Sequence, residues 1–459
     1  MNKGLVPLLI RNGRIIDPGR GISEAADLLV EEGRIAALAK GIPVQPGQEV
    51  IDASGMVVCP GFVDLHCHLR EPGFEDKETI ATGTRAAAAG GFVAVCCMAN
   101  TEPPIDSRAV VELVKQKASR EGVVQVFPLG CVTRGRRGKE VGDLAELASA
   151  GVVAFSDDGD PVADSKVMQR ALEQSLALGL PIVAHCEDKA LSRGGVVNEG
   201  RVSLELGVKG IPAKAEEVMV ARDLALAKLT GARLHIAHVS TCGSVALIRR
   251  AREEGVAVTA EVTPHHLTLT EERVIGGDTN AKVNPPLRTE DDINCLVGGL
   301  RDGVLDAVAT DHAPHTLADK ECPLEAAAFG ISGLETAFGS LMGLVHSGEI
   351  DLATLISRLT CAPAKLIGKE GELGVLKLGV PANITIFDPH REWTVDSRKF
   401  VSKGKNTPFQ GFKFQGRVMA TIVGGRVVYK DASLKGDCQP PFVIAPPFII
   451  ASEAKQSDG

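Results

Sequence analysis

The sequence predicts an α/β protein: a (β/α)8 TIM-type barrel carrying a small β-sandwich domain formed by both chain ends. Three observations carry this. Between residues 56 and 366, eight short apolar runs alternate with helix-like stretches. Glycine-punctuated β patterns open the chain and return near its end. Nine of the eleven histidines sit in or just after the apolar runs, where a parallel barrel presents its catalytic face.

Residues 4–55 alternate in a β manner through LLIRNGRIID, AADLLVEEGRIAALA and QEVIDASG, with hairpin turns at NG (12–13) and EEG (31–33). A matching pattern returns in ELGVLKLGVPANITIFDP (372–389) and GRVMATIVGGRVVY (416–429). Each end alone has few strands. Residues 1–55 and 367–435 are therefore expected to build one sandwich, with 56–366 inserted between them as the barrel.

The barrel strands are expected in MVVCPGFVDL (56–65), FVAVCCM (92–98), VVQVFPL (123–129), VVAFS (152–156), PIVAH (181–185), RLHIAHV (233–239), VAVTAEV (256–262) and VLDAVAT (304–310). Several are near-continuous apolar runs, as strands buried on both faces should be. KETIATGTRAAAAG, SKVMQRALEQSLALG, AEEVMVARDLALAKL and CGSVALIRRAREEG read as helices between them. The end of the chain, PPFVIAPPFIIASEAKQSDG (440–459), fits neither pattern, and 436–459 is expected to be a poorly ordered tail.

Composition excludes several classes. The net charge of −8 leaves no basic footprint for nucleic acid. No apolar run is long enough for a bilayer, and the N-terminus lacks a secretory apolar region. The eleven cysteines are scattered with no CxxC pair, which predicts a reduced, cytoplasmic protein without membrane association.

The chemistry begins in VDLHCHLREPG (63–73). Side chains at i and i+2 of a strand share a face, so His66 and His68 present two imidazoles to one point. The other strand ends carry Arg70, Asn100, Thr133, Arg134, Asp157, Asp158, His185, His235, His238, His265, His266, Asp311, His312 and His315. These residue types suit a two-metal site. One metal would take His66, His68 and Asp311, and the other His185 and His238. Asp157 or Asp158, in the SDDG turn, would supply a shared anionic ligand. Two such metals lower the pKa of water, and Asp311 would shuttle its proton as general base and then acid.

Taken singly, many of these residues have plainer explanations. His185 and His235 could be satisfied core histidines. His265 and His266 could orient ligands. The aspartate pair could be an Asx turn, and RGRRGKE (134–140) a solvated loop. Cys96, Cys97 and Cys186 read as packing residues. Their concentration at one barrel face is what favours a metal site.

The motifs resemble those of the cyclic amidohydrolases, and most closely the class I dihydroorotases of bacteria. DLHCHLREPG and ATDHAPHTLADK (309–320) look like the two family signatures. MANTEPP (98–104), FSDDGDP (155–161), TAEVTPHHL (259–267), KVNPPLR (282–288), AAFGISGLET (327–336) and FVSKGKNTPFQG (400–411) each match a family block. The resemblance implies two zinc ions per subunit, held by His66, His68, Asp158, His185, His238 and Asp311, with Asp311 catalytic. It implies substrate contacts from His68, Arg70, Asn100, Asn284 and His315, with Phe329 and Gly330 closing the pocket. The implied substrates are N-carbamoyl-L-aspartate and L-dihydroorotate, in pyrimidine synthesis. A carboxylated lysine bridges the metals in many hydantoinases and allantoinases, whereas the fourth strand here offers aspartate. Ala99 stands where the family block usually has proline. An allantoinase, a hydantoinase or dihydropyrimidinase, and an inactive homologue serving as assembly partner are the rival readings. The resemblance also admits a homodimer and an association with aspartate carbamoyltransferase.

Overall fold

The computed structural model describes residues 5–434, so the tail expected at 436–459 lies outside the described residues. Two larger parallel sheets occupy the middle of the described chain, beside the short parallel pair Val197–Asn198 and Gly210–Ile211. Phe62–Cys67, Phe92–Cys97 and Gln125–Pro128 form one. Ile182–Ala184, Leu234–Ile236, Val258–Val262 and Ala307–Val308 form the other. Parallel bridges join their edges, through Gly130–Phe155 and Phe155–Ile182 on one side and Cys67–His312 on the other. The fourth expected strand, VVAFS, is short: it bridges both neighbours at Phe155, and Val153 and Ser156 N–H donate to Pro128 O and Gly130 O before the chain turns into SDDG.

Helices cover the outside. Ile80–Ala89 starts at a reciprocal Thr79–Thr82 cap, and Ser165–Leu178 starts where the Asp164 carboxylate accepts from Lys166 and Val167 N–H. Val167, Met168, Ala171, Leu172 and Ser175 of the second helix are buried, the stripe that a 3.6-residue period places on one face. Among the described residues no helix is long and apolar enough to cross a membrane.

The run MVVCPGFVDL is not one strand. It breaks after Pro60, and Val57–Pro60 pairs with Leu8–Asp17 and with Ile384–Phe387, leaving Phe62–Cys67 to the parallel sheet. The expected sandwich also needs correction. Leu8–Asp17, Ile22–Glu31, Arg34–Ala39, Glu49–Asp52, Val57–Pro60, Ile384–Thr394, Lys413–Val423 and Arg426–Lys430 form one continuous eight-stranded sheet. Bulges bend it, including one between Ile10 and Gly13, and an Arg34–Pro381 bridge brings the hairpin of Ile22–Glu31 and Arg34–Ala39 against the later segment. The curled sheet closes over Leu8, Ile10, Leu28, Ile35, Ile384 and Ile422.

The two parts are packed as one body. Phe338 stacks on Phe62 at 5.4 Å and lies 4.6 Å from Phe387 of the curled sheet. Thr385 and Thr421 donate their hydroxyls to the carbonyls of Gly91 and Ala88, at 2.6 and 2.7 Å. Each buried phenylalanine of this seam is worth roughly 1.5–3 kcal/mol.

The expectation of a wholly reduced chain is also corrected. Cys242, which opens the helix Cys242–Glu253, is disulfide-bonded to Cys295 on the helix Glu290–Arg301. The two residues are 53 apart, and nothing in their spacing announces that these helices are neighbours.

Candidate metal centre

The strand Phe62–Cys67 carries a bulge between Asp64 and Cys67, opposite Val95–Cys97. Bulges re-aim side chains beside sites, and here the His66 and His68 rings stand 5.4 Å apart. Asp64 does not join them. Its carboxylate accepts from Thr310 N–H at 2.7 Å and Thr310 Oγ1 at 2.6 Å, latching this strand to the segment before Asp311.

Asp158 lies at the centre of the cluster. Its oxygens are 3.4 Å from His66 Nε2, 3.5 Å from His68 Nε2, 3.6 Å from His185 Nδ1 and 3.5 Å from His238 Nε2. Asp311 Oδ1 is 3.1 Å from His68 Nε2 and 3.6 Å from His66 Nε2. Asp157, left open by the sequence as the alternative, faces elsewhere. It accepts from Val132 N–H at 2.8 Å, from Thr133 N–H and from the Thr133 hydroxyl, which fixes the neighbouring loop.

Among the described residues two groups could each hold a metal ion: His66, His68 and Asp158, and Asp158, His185 and His238. They share Asp158. Two atoms at the junction, His66 Nε2 and Asp158 Oδ1, are buried with no hydrogen-bond partner. Such orphans are costly in a dry interior unless a cation meets them. Imidazole nitrogens and carboxylate oxygens are also the donor set of a borderline divalent metal. The residues therefore fit one.

Electrostatics agree. Burial alone would push the His66 imidazole down, but Asp158 and Asp311 outweigh it and hold it well above the ordinary range. Burial would raise the carboxyls of Asp158 and Asp311, yet the surrounding histidines hold both below the usual carboxylate range.

Above the cluster opens a cavity of about 390 Å³, bordered by His68, Asp158, His185, His238 and Asp311. Its rim holds Arg70, Asn100, Asn284, His315, Phe329 and Gly330. His66 lies deeper. Arg70 forms no ion pair with a carboxylate among the described residues; its Nε donates to Pro314 O at 3.3 Å. Gly330 has φ +144°, and a Cβ there would meet Ala313 O at 2.7 Å. Arg70, His238 and Asp311 adopt positive φ values of 62°, 34° and 44°, a strain that gathers at functional sites.

The chain matches the Dihydro-orotase-like family model over residues 55–244 and the Amidohydrolase family model over 204–429. It is 54% identical over 424 residues to a dihydroorotase of Caldanaerobacter subterraneus, covering 92% of this chain and 97% of the relative. A dihydroorotase of Pelotomaculum thermopropionicum is 51% identical, covering 93% and 100%. The chain belongs to the dihydroorotase family. Among solved structures, the L-hydantoinase (dihydropyrimidinase) of Arthrobacter aurescens superposes with a TM-score of 0.84 at 26% identity, over 94% of this chain and 98% of that one.

Several residues of this dihydroorotase-family site were not singled out by the sequence. Glu187 borders the cavity and accepts from His185 Nε2 at 2.9 Å; its place two residues after His185 was the available signal. Arg136, in the loop read as solvated, donates to Asp158 O at 2.6 Å and pins the SDDG turn. Asn406 braces the rim, donating to Ala313 O and Gly330 O while accepting from His315 N–H. The two ring nitrogens of His266 meet Pro285 O at 2.9 Å and Thr263 Oγ1 at 2.8 Å, so it steadies the Asn284 loop.

Proposed function

We propose that the protein is a zinc-dependent dihydroorotase, interconverting N-carbamoyl-L-aspartate and L-dihydroorotate plus water in pyrimidine synthesis. The observation that carries this is Asp158, one carboxylate shared by two histidine-bearing groups. One zinc would be held by His66, His68 and Asp311, the other by His185 and His238, with Asp158 between them. When bound, such ions supply Lewis acidity that acidifies water and polarises a carbonyl.

The remaining steps belong to side chains. Arg70, a guanidinium without a carboxylate partner, would take the substrate's free carboxylate in a charge-assisted pair. Asn100, Asn284 and His315 would add directional hydrogen bonds, and Phe329 with Gly330 would close the pocket. Burial pushes His315 down to about 3, so it meets substrate as a neutral imidazole near pH 7. In ring opening, Asp311 accepts a proton from the attacking water and delivers it to the departing ring nitrogen. In closure the same carboxyl returns it.

The bridges between the two parallel sheets support a closed (β/α)8 barrel over residues 62–366, with Val57–Pro60 joining 5–55 and 367–434 in the accessory β domain. A homodimer, an association with aspartate carbamoyltransferase and a cytoplasmic location remain part of this reading.

Turnover of L-dihydroorotate by the zinc-loaded protein and by Asp158→Ala, with bound zinc quantified, tests it. Hydrolysis by the wild type and loss of both zinc and activity in the variant are expected. Opening of hydantoin or allantoin but not dihydroorotate would overturn the substrate assignment.

A further inference from the structure

Beneath the cluster, the strand Val258–Val262 places one carboxylate between two histidines. Glu261 Oε1 accepts from His66 Nδ1 at 2.8 Å, and Oε2 accepts from His235 Nε2 at 3.1 Å. His235 Nδ1 lies 2.8 Å from Thr259 Oγ1. Glu261 and His66 are completely buried, and His235 is nearly so.

With Glu261 ionised, His66 in the neutral form that metal ligation requires and His235 neutral, the hydrogen bonds allow one proton arrangement. His66 carries its N–H on Nδ1 and His235 carries its own on Nε2. The Thr259 hydroxyl donates to the remaining nitrogen of His235. His66 Nε2 is then a bare lone pair, and it is the atom that lacks a hydrogen-bond partner and faces Asp158 and Asp311. His68 is backed differently. Its Nδ1 meets the neutral amide oxygen of Asn100 at 2.9 Å. Of His66 and His68, only His66 has a formal charge behind it.

We propose that Glu261, held in place by His235, is a positioning residue that fixes the tautomer of His66 and strengthens its grip on a divalent metal. This rests on the metal-centre reading above. A carboxylate behind a ligating imidazole raises the basicity of the ligand and holds its ring in plane with the ion. His235 is the second member of the device, not an isolated core histidine. It lines a separate cavity of about 230 Å³ at the far end of the strands, with Leu65, Leu129, Val183 and Leu366. An apolar ring placed at 235 from that side would remove the N–H to Glu261 without touching any ligand.

Zinc affinity of the metal-stripped full chain, read by competition with a chromophoric chelator, tests this in wild type, Glu261→Gln and His235→Phe. Melting of the metal-free proteins is followed in parallel. Glu261→Gln is expected to weaken one zinc equivalent by roughly 10–100-fold while leaving the other near wild type. His235→Phe should give a smaller loss at the same equivalent, and it carries the test alone if Glu261→Gln does not fold. The loss should appear even where metal-free melting matches the wild type, which a merely structural role would not produce. Wild-type affinity in both variants would overturn the inference and leave the metal centre standing. A wild-type chain that binds no zinc would overturn both.

Discussion

Asn284 and Glu187, 97 residues apart, meet through a 2.9 Å hydrogen bond from Asn284 Nδ2 to Glu187 Oε2. The same oxygen accepts from His185 Nε2 at 2.9 Å and Lys189 Nζ at 2.6 Å. One carboxylate therefore ties a candidate ligand to a candidate substrate contact. Asn284→Ala should raise KM for dihydroorotate more than it lowers kcat. A lost hydrogen bond to a charged group is worth about 1.5–3 kcal/mol, or roughly 10- to 100-fold. Lys189 is exposed, so Lys189→Ala should cost less than about 1 kcal/mol of stability. Steady-state kinetics and denaturant melts check the pair; an unchanged KM in Asn284→Ala would count against that contact.

Asp157 and Asp158 predict opposite phenotypes. Asp157→Ala removes the acceptor of buried donors on Val132 and Thr133 and should cost about 1–3 kcal/mol, with zinc binding retained. Asp158→Ala should abolish zinc binding, because both candidate metal groups share that carboxylate. Zinc at a hundred times its dissociation constant should stabilise the wild type by about 2.7 kcal/mol and Asp158→Ala not at all. Melting with zinc or with chelator reads both.

Glu335 predicts a pH effect away from the centre. It accepts from Val401 N–H at 2.8 Å and Ser402 N–H at 3.1 Å, yet burial pushes its carboxyl up to about 7. The folded state thus holds this proton after the unfolded chain has released it. The contribution is full below about pH 4.5, falls as pH rises, and is lost above about 7, for up to about 3 kcal/mol. Glu335→Gln should therefore gain on the wild type as pH rises from 5 to 8. A constant difference between their unfolding free energies would refute this.

Ring closure itself consumes a proton, since a dianion becomes a monoanion. The equilibrium ratio of dihydroorotate to N-carbamoyl-aspartate should rise about tenfold per unit fall in pH between the titrations of carboxyl and ring amide. Progress to equilibrium from both sides, with the zinc-loaded protein, measures it. A ratio independent of pH would exclude this substrate pair.

The histidines were legible because strand alternation and sequence position both act locally. His66, His68, His185 and His238 each end an apolar run, so the barrel pattern alone collects them. Spacing alone could not choose between Asp157 and Asp158; the family block pointed to Asp158, and the hydrogen bonds that turn Asp157 away depend on Thr133 from another loop. Glu261 was invisible for a similar reason. It interrupts an apolar strand, and its meaning arises only where that strand lies across the fold from His66. The disulfide between Cys242 and Cys295 and the break at Pro60 were likewise hidden, because both depend on which elements become neighbours. Arg136 was hidden by composition, since a loop of glycine and arginine reads as solvent-facing whether or not one guanidinium turns inward.

The curled sheet sets a condition on the order of assembly. Val57–Pro60 has Leu8–Asp17 on one side and Ile384–Phe387 on the other. During synthesis the first partner is made at once, while the second emerges more than three hundred residues later. Until then the early strands expose an unpaired edge, the feature that invites pairing with another chain. A chain cut short before residue 384 would therefore carry all of its candidate metal-binding histidines and a sticky seam beside them.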